Sequence, residues 1–353
     1  MSKAIDPKHI YIYTQAYNAE KTIERTIQSV LSQTYPYFTY HIFDNGSSDY
    51  TFELIKKYAA SDARIVPEYR SINDFCLFFN MIPEEIKKDT NCSFFCNLDA
   101  DDEYLPTFLE KMLDFMQSNS LEAATCGTDW IDRESGKCLK HKIISKSTVL
   151  EGQQFTALFP YYHHFITTVW GGLYSAEVIR KCSWKWVTPQ SPYSQDNAAC
   201  LEIFSHCQRA GILAESLHKY YISHNSITFQ YDPKRFESCK QLYRVGEQYL
   251  TQYGPISAAN QNYLYVVYFI MLQGAVDNLL AASIGFSEKL RNLEEIFQCE
   301  LTVYLLKNWD AVGIYTKKNE FLSKIEEWLC TQQEAAQYQD KIEDFLKTYK
   351  NGR

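Results

Sequence analysis

The stretch SFFCNLDADDEYLP, residues 93–106, sets four carboxylates, Asp99, Asp101, Asp102 and Glu103, directly behind an apolar run. Like charges packed this closely raise one another's pKa, so the cluster needs a counter-ion or open water. A hard divalent cation, Mg2+ or Mn2+, held by carboxylate oxygens and completed by a diphosphate meets that need. A solvated loop capping the helix LPTFLEKMLDFMQS meets it equally, because acidic residues favour a helix N-terminus. Two more carboxylates stand where chemistry could use them, Asp44 in DNGSSD and Asp196 in SQDN. A carboxylate within reach of a hydroxyl can take its proton and make it a nucleophile. Each also has a local use, Asp44 as a turn residue beside Asn45-Gly46 and Asp196 as N-cap of NAACLEIFSHCQRAG.

The elements that must position these groups alternate in type. HIYIYTQAY, rich in β-branched and aromatic residues, reads as a strand, and NAEKTIERTIQSVLSQ follows with Ile23, Ile27, Val30 and Leu31 at helical spacing. Asn18 is a candidate N-cap for that helix. FTYHIFD and YTFELIKKYAAS repeat the pattern, and a third strand over residues 93–98 delivers the acidic cluster. This rhythm predicts a mostly parallel α/β sheet flanked by helices, whose ligands bind outside the carboxyl ends of its strands. Asp44 and the cluster then share one sheet edge.

Bulk properties exclude several classes. The 353 residues suffice for one large domain with an appendage or for two domains, and 46% hydrophobic content builds a sizeable core. A net charge of −8 lacks the footprint of a nucleic-acid binder. The N-terminal MSKAIDPKHIYIY has no signal-peptide core, which predicts a cytosolic chain. Gln273, Asp277 and Asn278 interrupt the most apolar segment, residues 263–282, so it reads as a buried helix rather than a transmembrane one. The 11 cysteines have no regular spacing, and Cys92 and Cys96 lack partners for a zinc set. They read as buried small side chains.

In order, YTQAYNAEKTIERTIQSVLSQTYPYF, HIFDNGSSDYT, LDADDEYLP, SQDNAACLEIF and LHKYYISHNSIT resemble the motifs of a family 2 glycosyltransferase with the GT-A fold. The resemblance spans roughly residues 8–230. It implies a Rossmann-like domain over residues 1–230, with a nucleotide-sugar half (8–105) and an acceptor half (106–230). By this match Thr14, Ala16, Tyr17 and Asn18 form the first nucleotide-contacting turn, and Asp44 holds the base. Asp99 partners the ribose or metal-bound water, Asp101 is the direct metal ligand, and Asp102 orients the others. Asp196 is the general base of an inverting transfer from a nucleoside-diphosphate sugar, UDP-sugar favoured, to a glycan or lipid-linked acceptor. The transferred group is a hexosyl or N-acetylhexosaminyl unit. His224 is a candidate for the metal or the diphosphate. The chain departs from the family pattern at Gln15 (usually Pro), at Gln195 (usually Glu) and in RSINDFCLFFN. In that last stretch only Asn80 matches, Phe79 replaces an Arg, and Arg70 or Asn73 could serve the nucleotide instead.

His163 and His164 would point to opposite faces of a strand, which argues against one shared ion. Tyr161, Tyr162, Phe165 and Trp170 could stack on an acceptor sugar or fill a core. Residues 231–353 turn to amphipathic runs that predict a helical region serving acceptor recognition or self-association. Its stretch KIEEWLCTQQEAAQYQDKIEDF is acidic where a membrane-surface helix favours a basic polar face, and the expected location is the cytoplasm, with a peripheral place at the inner face of the membrane as the alternative. A nucleotidyltransferase would want a Gly-rich phosphate loop that TQAYNAEKT lacks. A non-catalytic nucleotide-sugar-binding homologue would keep Asp44 and Asp101 without needing Asp196.

Overall fold

The computed structural model describes residues 8–73, 84–184, 195–222, 230–312 and 317–331. The chain divides into two compact units, Met1–Ser223 and His224–Arg353. In the first, strands β1 (Ile10–Ala16), β2 (Phe38–Asp44), β3 (Ile65–Tyr69) and β4 (Phe94–Asn97) run parallel in the order β3-β2-β1-β4. Helices Ile23–Leu31 and Thr51–Ala59 make the crossovers. The sheet continues through β9 (Gly172–Ser175), β6 (Ala123–Asp132), β10 (Arg209–Ile222) and β5 (Glu103–Tyr104). β6 and β10 are parallel to each other, whereas β9 runs antiparallel to both β4 and β6. β7 (Cys138–Lys142) and β8 (Thr148–Glu151) pair antiparallel with β6 and β10. The result is a mixed α/β sheet, parallel in its first half.

β1 is buried along nearly its whole length, as expected of a parallel strand covered on both faces. On one face Ile10 and Ile12 join Ile23, Ile27 and Val30 of the first helix and Ile42 of β2 in the main core. Each such fully buried aliphatic side chain contributes about 1.5–3 kcal/mol. On the other face the Tyr13 ring stacks on His41 at 4.8 Å and on Phe43 at 5.7 Å. Cys92 and Cys96 are buried free thiols.

The first helix starts at Ile23 with Thr22 at its N-cap, so Asn18 is not the cap. Asn18 instead takes a left-handed backbone, φ 48°, in the turn ahead of the helix. The helix Gln195–Ser205 likewise includes Asp196 in its first turn rather than using it as the cap.

The second unit is helical in its described residues: Arg235–Thr251, Ala258–Ala281, Phe286–Gln298, Glu300–Lys307, Trp309–Val312 and Lys317–Thr331. Helix Ala258–Ala281 is long and apolar enough to cross a membrane by length and composition. Leu264, Tyr268, Leu272, Val276 and Leu279 are buried along one of its sides, at the spacing of a helix packed against neighbours.

Candidate active site

The carboxyl ends of β1, β2 and β4 come together because parallel register pairs Ala16 with Asp44 and Tyr13 with Asn97. Thr14 is fully buried beneath this edge, and its hydroxyl donates to the Leu98 carbonyl at 2.7 Å and bonds the Tyr40 hydroxyl at 2.9 Å. Its side chain therefore ties β1 to the start of the acidic loop from below. The Asn45 N–H donates to the Ala16 carbonyl (2.8 Å), and Tyr17 stands exposed. Asn18 clamps the neighbouring turn: its Oδ1 accepts from the Ser48 N–H at 2.9 Å, while its own N–H donates to Ser47 Oγ at 2.9 Å.

Asp44 is buried and accepts the Ser47 hydroxyl and N–H. Burial raises its carboxyl pKa, and the Ser47 hydrogen bonds work against that rise. Gly46 permits the turn. Its φ is +77°, and a Cβ there would come within 3.1 Å of the Arg70 carbonyl oxygen. The Arg70 N–H donates to the Asp44 carbonyl (2.8 Å), and its guanidinium lies over Phe43, which places Arg70 beside Asp44.

The acidic loop splits its carboxylates between two environments. Asp101 is 42% exposed and paired with the Arg133 guanidinium, while Arg25 donates to its backbone carbonyl at 2.6 Å. Asp102, one residue on, is fully buried and accepts the Tyr221 N–H at 2.9 Å. Its other oxygen lies 3.4 Å from Nε2 of the equally buried His218. Burial pushes His218 down to about 3, so the imidazole is neutral near pH 7, and burial with the Asp101 charge pushes Asp102 well up. Asp102 thus holds the backbone of β10 to the acidic loop. Arg25 pairs with Glu103 at 3.0 Å and stacks on Tyr221, whose hydroxyl donates to Glu103 at 2.7 Å.

Asp99 is partly buried, and its carboxyl is raised well above the ordinary range by burial first, then by Asp102, Asp196 and Asp101. Asp196 therefore stands close enough to Asp99 to be felt electrostatically. Burial lifts Asp196 itself to about 6. Helix Gln195–Ser205 is anchored from behind by buried Glu202, which accepts the N–H groups of Ser183 (2.8 Å) and Trp184 (2.7 Å). An all-oxygen donor set, with Asp101 open to solvent and Asp99 held under like-charge stress, fits a hard divalent cation.

Asn80 and His224 lie outside the described residues. His163 and His164 sit on a 3-10 turn, His163–Phe165, rather than a strand. His163 is buried against Asn197 and, like His164, is pushed down by burial, to about 3 and about 4. Tyr162, Phe165 and Trp170 are buried, with Trp170 stacked on His218 (4.5 Å), so these three fill core; Tyr161 is exposed. Sequence reasoning missed Arg133, Arg25 and His218, which reach the cluster from a β-turn, a helix and a distant strand. Only the bare need for a counter-charge pointed to the two arginines, and nothing pointed to His218.

Residues 11–180 match the family model "Glycosyl transferase family 2". This part of the chain is a glycosyl transferase family 2 domain. The uncharacterized glycosyltransferase YibD of Escherichia coli (strain K12) is 25% identical over 215 residues, covering 60% of this chain and 61% of that protein. UDP-Glc:alpha-D-GlcNAc-diphosphoundecaprenol beta-1,3-glucosyltransferase WfaP of Escherichia coli is 30% identical over 112 residues, covering 32% of this chain and 43% of that protein. The match thus spans less than two thirds of either relative. Among solved structures, S. aureus TarS 1-349 in complex with UDP has a TM-score of 0.52 at 13% identity, covering 91% of this chain and 80% of that one. The mannosyltransferase PcManGT from Pyrobaculum calidifontis, in complex with GDP-Man and Mn2+, has a TM-score of 0.50 at 12% identity over 88% and 86%. The family 2 domain shares their GT-A fold.

Proposed function

We propose that this chain is an inverting glycosyltransferase that moves a sugar from a nucleoside diphosphate to a hydroxyl of a glycan or lipid-linked acceptor. The observation that carries this reading is that Asp99, just past the carboxyl end of β4, feels the charges of Asp102, Asp196 and Asp101 together. Asp196 is the base. At about 6, its carboxyl is deprotonated near pH 7 yet basic enough to accept the proton of an attacking hydroxyl. In-line attack with loss of the diphosphate inverts the anomeric centre.

Asp44, with Arg70 beside it, addresses the nucleotide base, while Ala16, Tyr17 and Asn18 line the same edge. Asp101 and Asp99 would hold a Mn2+ or Mg2+ ion, and His224 remains a further candidate ligand. When bound, such an ion neutralises charge developing on the leaving diphosphate. Mn2+ is bound in PcManGT, and the domain shares that fold. UDP as donor nucleotide draws support from the UDP bound to TarS and from WfaP, whose printed activity joins UDP-Glc to a diphosphoundecaprenol acceptor. The lipid-linked diphosphoundecaprenol acceptor of that relative also supports a role in surface polysaccharide synthesis. Residues 1–230 carry the transfer chemistry, and residues 231–353 serve acceptor recognition or self-association.

The test is a panel of UDP-, GDP-, CDP- and TDP-sugars offered with Mn2+ and lipid-linked glycan acceptors to wild-type and Asp196→Asn protein. Transfer with inverted configuration by the wild type alone supports the reading. Equal turnover by both proteins would remove Asp196 from the chemistry.

A further inference from the structure

A second group of ligating side chains lies on the β6–β7 ribbon: Asp129, Cys138 and His141, with ligand atoms within 4.8 Å of one another. Alternation along a regular strand would put Cys138 and His141, three residues apart, on opposite faces. The register shows why they share one. Asp129 faces His141 and Trp130 faces Lys140, but Ile131 faces Cys138, so Leu139 is an extra residue in β7. This β-bulge returns Cys138 to the face of Asp129, Ile131 and His141, the kind of re-aiming that bulges provide. Leu139 itself turns outward and is 56% exposed. On the opposite face Lys140 covers the Trp130 ring, as the register requires.

The atoms brought together are ordered. Cys138 Sγ lies beside the imidazole, 3.6 Å from His141 Nε2 and 3.9 Å from Nδ1, so a turn of the ring about its Cβ–Cγ bond aims Nε2 at an ion held by the sulfur. Sulfur and nitrogen bonded to one tetrahedral zinc, at about 2.3 Å and about 2.0–2.1 Å, lie roughly 3.6 Å apart. The other ring nitrogen, His141 Nδ1, is 2.8 Å from Asp129 Oδ1, which also accepts the Ser216 hydroxyl at 2.6 Å. A carboxylate on the remote nitrogen fixes the tautomer and ring plane of a metal-ligating histidine. Ser216, from β10, fixes the carboxylate in turn.

We infer that Cys138 and His141 form a binding site for a borderline-soft divalent ion of the Zn2+ class, oriented by Asp129 and separate from the acidic edge. Thiolate and imidazole favour zinc, and carboxylate oxygens favour Mg2+ or Mn2+, so the two sites sort ions by donor chemistry. With two protein ligands and the His141 side chain 65% exposed, water completes the coordination and the ion is exchangeable.

The probe is Co2+ titrated into the full chain in the presence of excess Mg2+. The readout is the thiolate-to-metal charge-transfer absorption, followed by displacement with Zn2+. The expected result is a one-equivalent band that Zn2+ abolishes, absent in Cys138→Ser and in His141→Ala. Asp129→Asn should weaken Co2+ binding about 10–100-fold while the band keeps its shape. These side chains are exposed or partly exposed, and circular dichroism of each variant separates loss of a ligand from loss of fold. A band that survives Cys138→Ser would place the metal on another thiol, and no band in the wild type would mean that the ribbon binds no such ion. Either result overturns the inference.

Discussion

The acidic edge and the β6–β7 ribbon gather candidate ligating side chains in opposite ways. At the edge, Asp99, Asp101 and Asp102 are neighbours in sequence, and the end of one strand delivers them as a block. On the ribbon, Asp129, Cys138 and His141 come from two strands, and a single extra residue aligns them. The edge is all oxygen and carries stressed charge, relieved at Asp101 by Arg133. The ribbon mixes sulfur, nitrogen and oxygen in one hydrogen-bonded group. β6 joins the two, running from Asp129 towards Arg133. A block of like charge needs its counter-charge from elsewhere in the fold, whereas the mixed ribbon supplies its own order.

The largest effect should come from Asp196, the proposed base. Asp196→Asn is expected to lower kcat by about 10²–10⁴-fold while leaving nucleotide affinity unchanged, measured by transfer kinetics beside calorimetry. Donor affinity lost together with turnover would merge this residue with the metal-holding pair. Next, Asp101→Asn should weaken Mn2+-supported diphosphate binding on the order of 100-fold, more than removal of an outer partner usually costs. It should leave the Co2+ band of the ribbon intact, and loss of both would break the separation of the two sites.

A pH profile sharpens the role of Asp196 further. Its carboxyl sits at about 6, and only the deprotonated form accepts a proton, so kcat should rise with pH through that value and level off above it. At about pH 5 roughly a tenfold loss is expected, and a flat profile down to there would speak against this base. The smallest effect concerns Arg133. Its pair with Asp101 is partly exposed, a class worth about 0–1 kcal/mol. Arg133→Ala should therefore tighten Mn2+ binding without nucleotide by up to about 5-fold, read by electron paramagnetic resonance of free Mn2+. Weaker binding would mean that Arg133 organises Asp101 rather than competing for it.

What could be read in the sequence was local. Apolar runs ending in polar turns placed Asp44 and the acidic block on one edge, because parallel strands joined by helices leave few other arrangements. Spacing alone could not say that Asp102 turns inward to the Tyr221 N–H while Asp101 stays in solvent; β10 decides that from more than a hundred positions away. Asn18 looked like a helix cap by residue type, yet the helix waits until Ile23 because the turn of Ser47 and Ser48 claims the Asn18 amide. His163 and His164 were read as strand neighbours, and the 3-10 turn there has no apolar alternation to reveal it. The ribbon cluster was invisible, since period-two alternation holds Cys138 and His141 apart until the bulge at Leu139 is known.

The most direct measurement is calorimetric titration of UDP, GDP, CDP and TDP, each with and without Mn2+, into wild-type and Asp101→Asn protein. The account predicts that one diphosphate, UDP, binds the wild type only with Mn2+, and that Asp101→Asn loses this binding. Failure of every diphosphate to bind folded protein, or equal binding by Asp101→Asn, would contradict a donor site at the acidic edge.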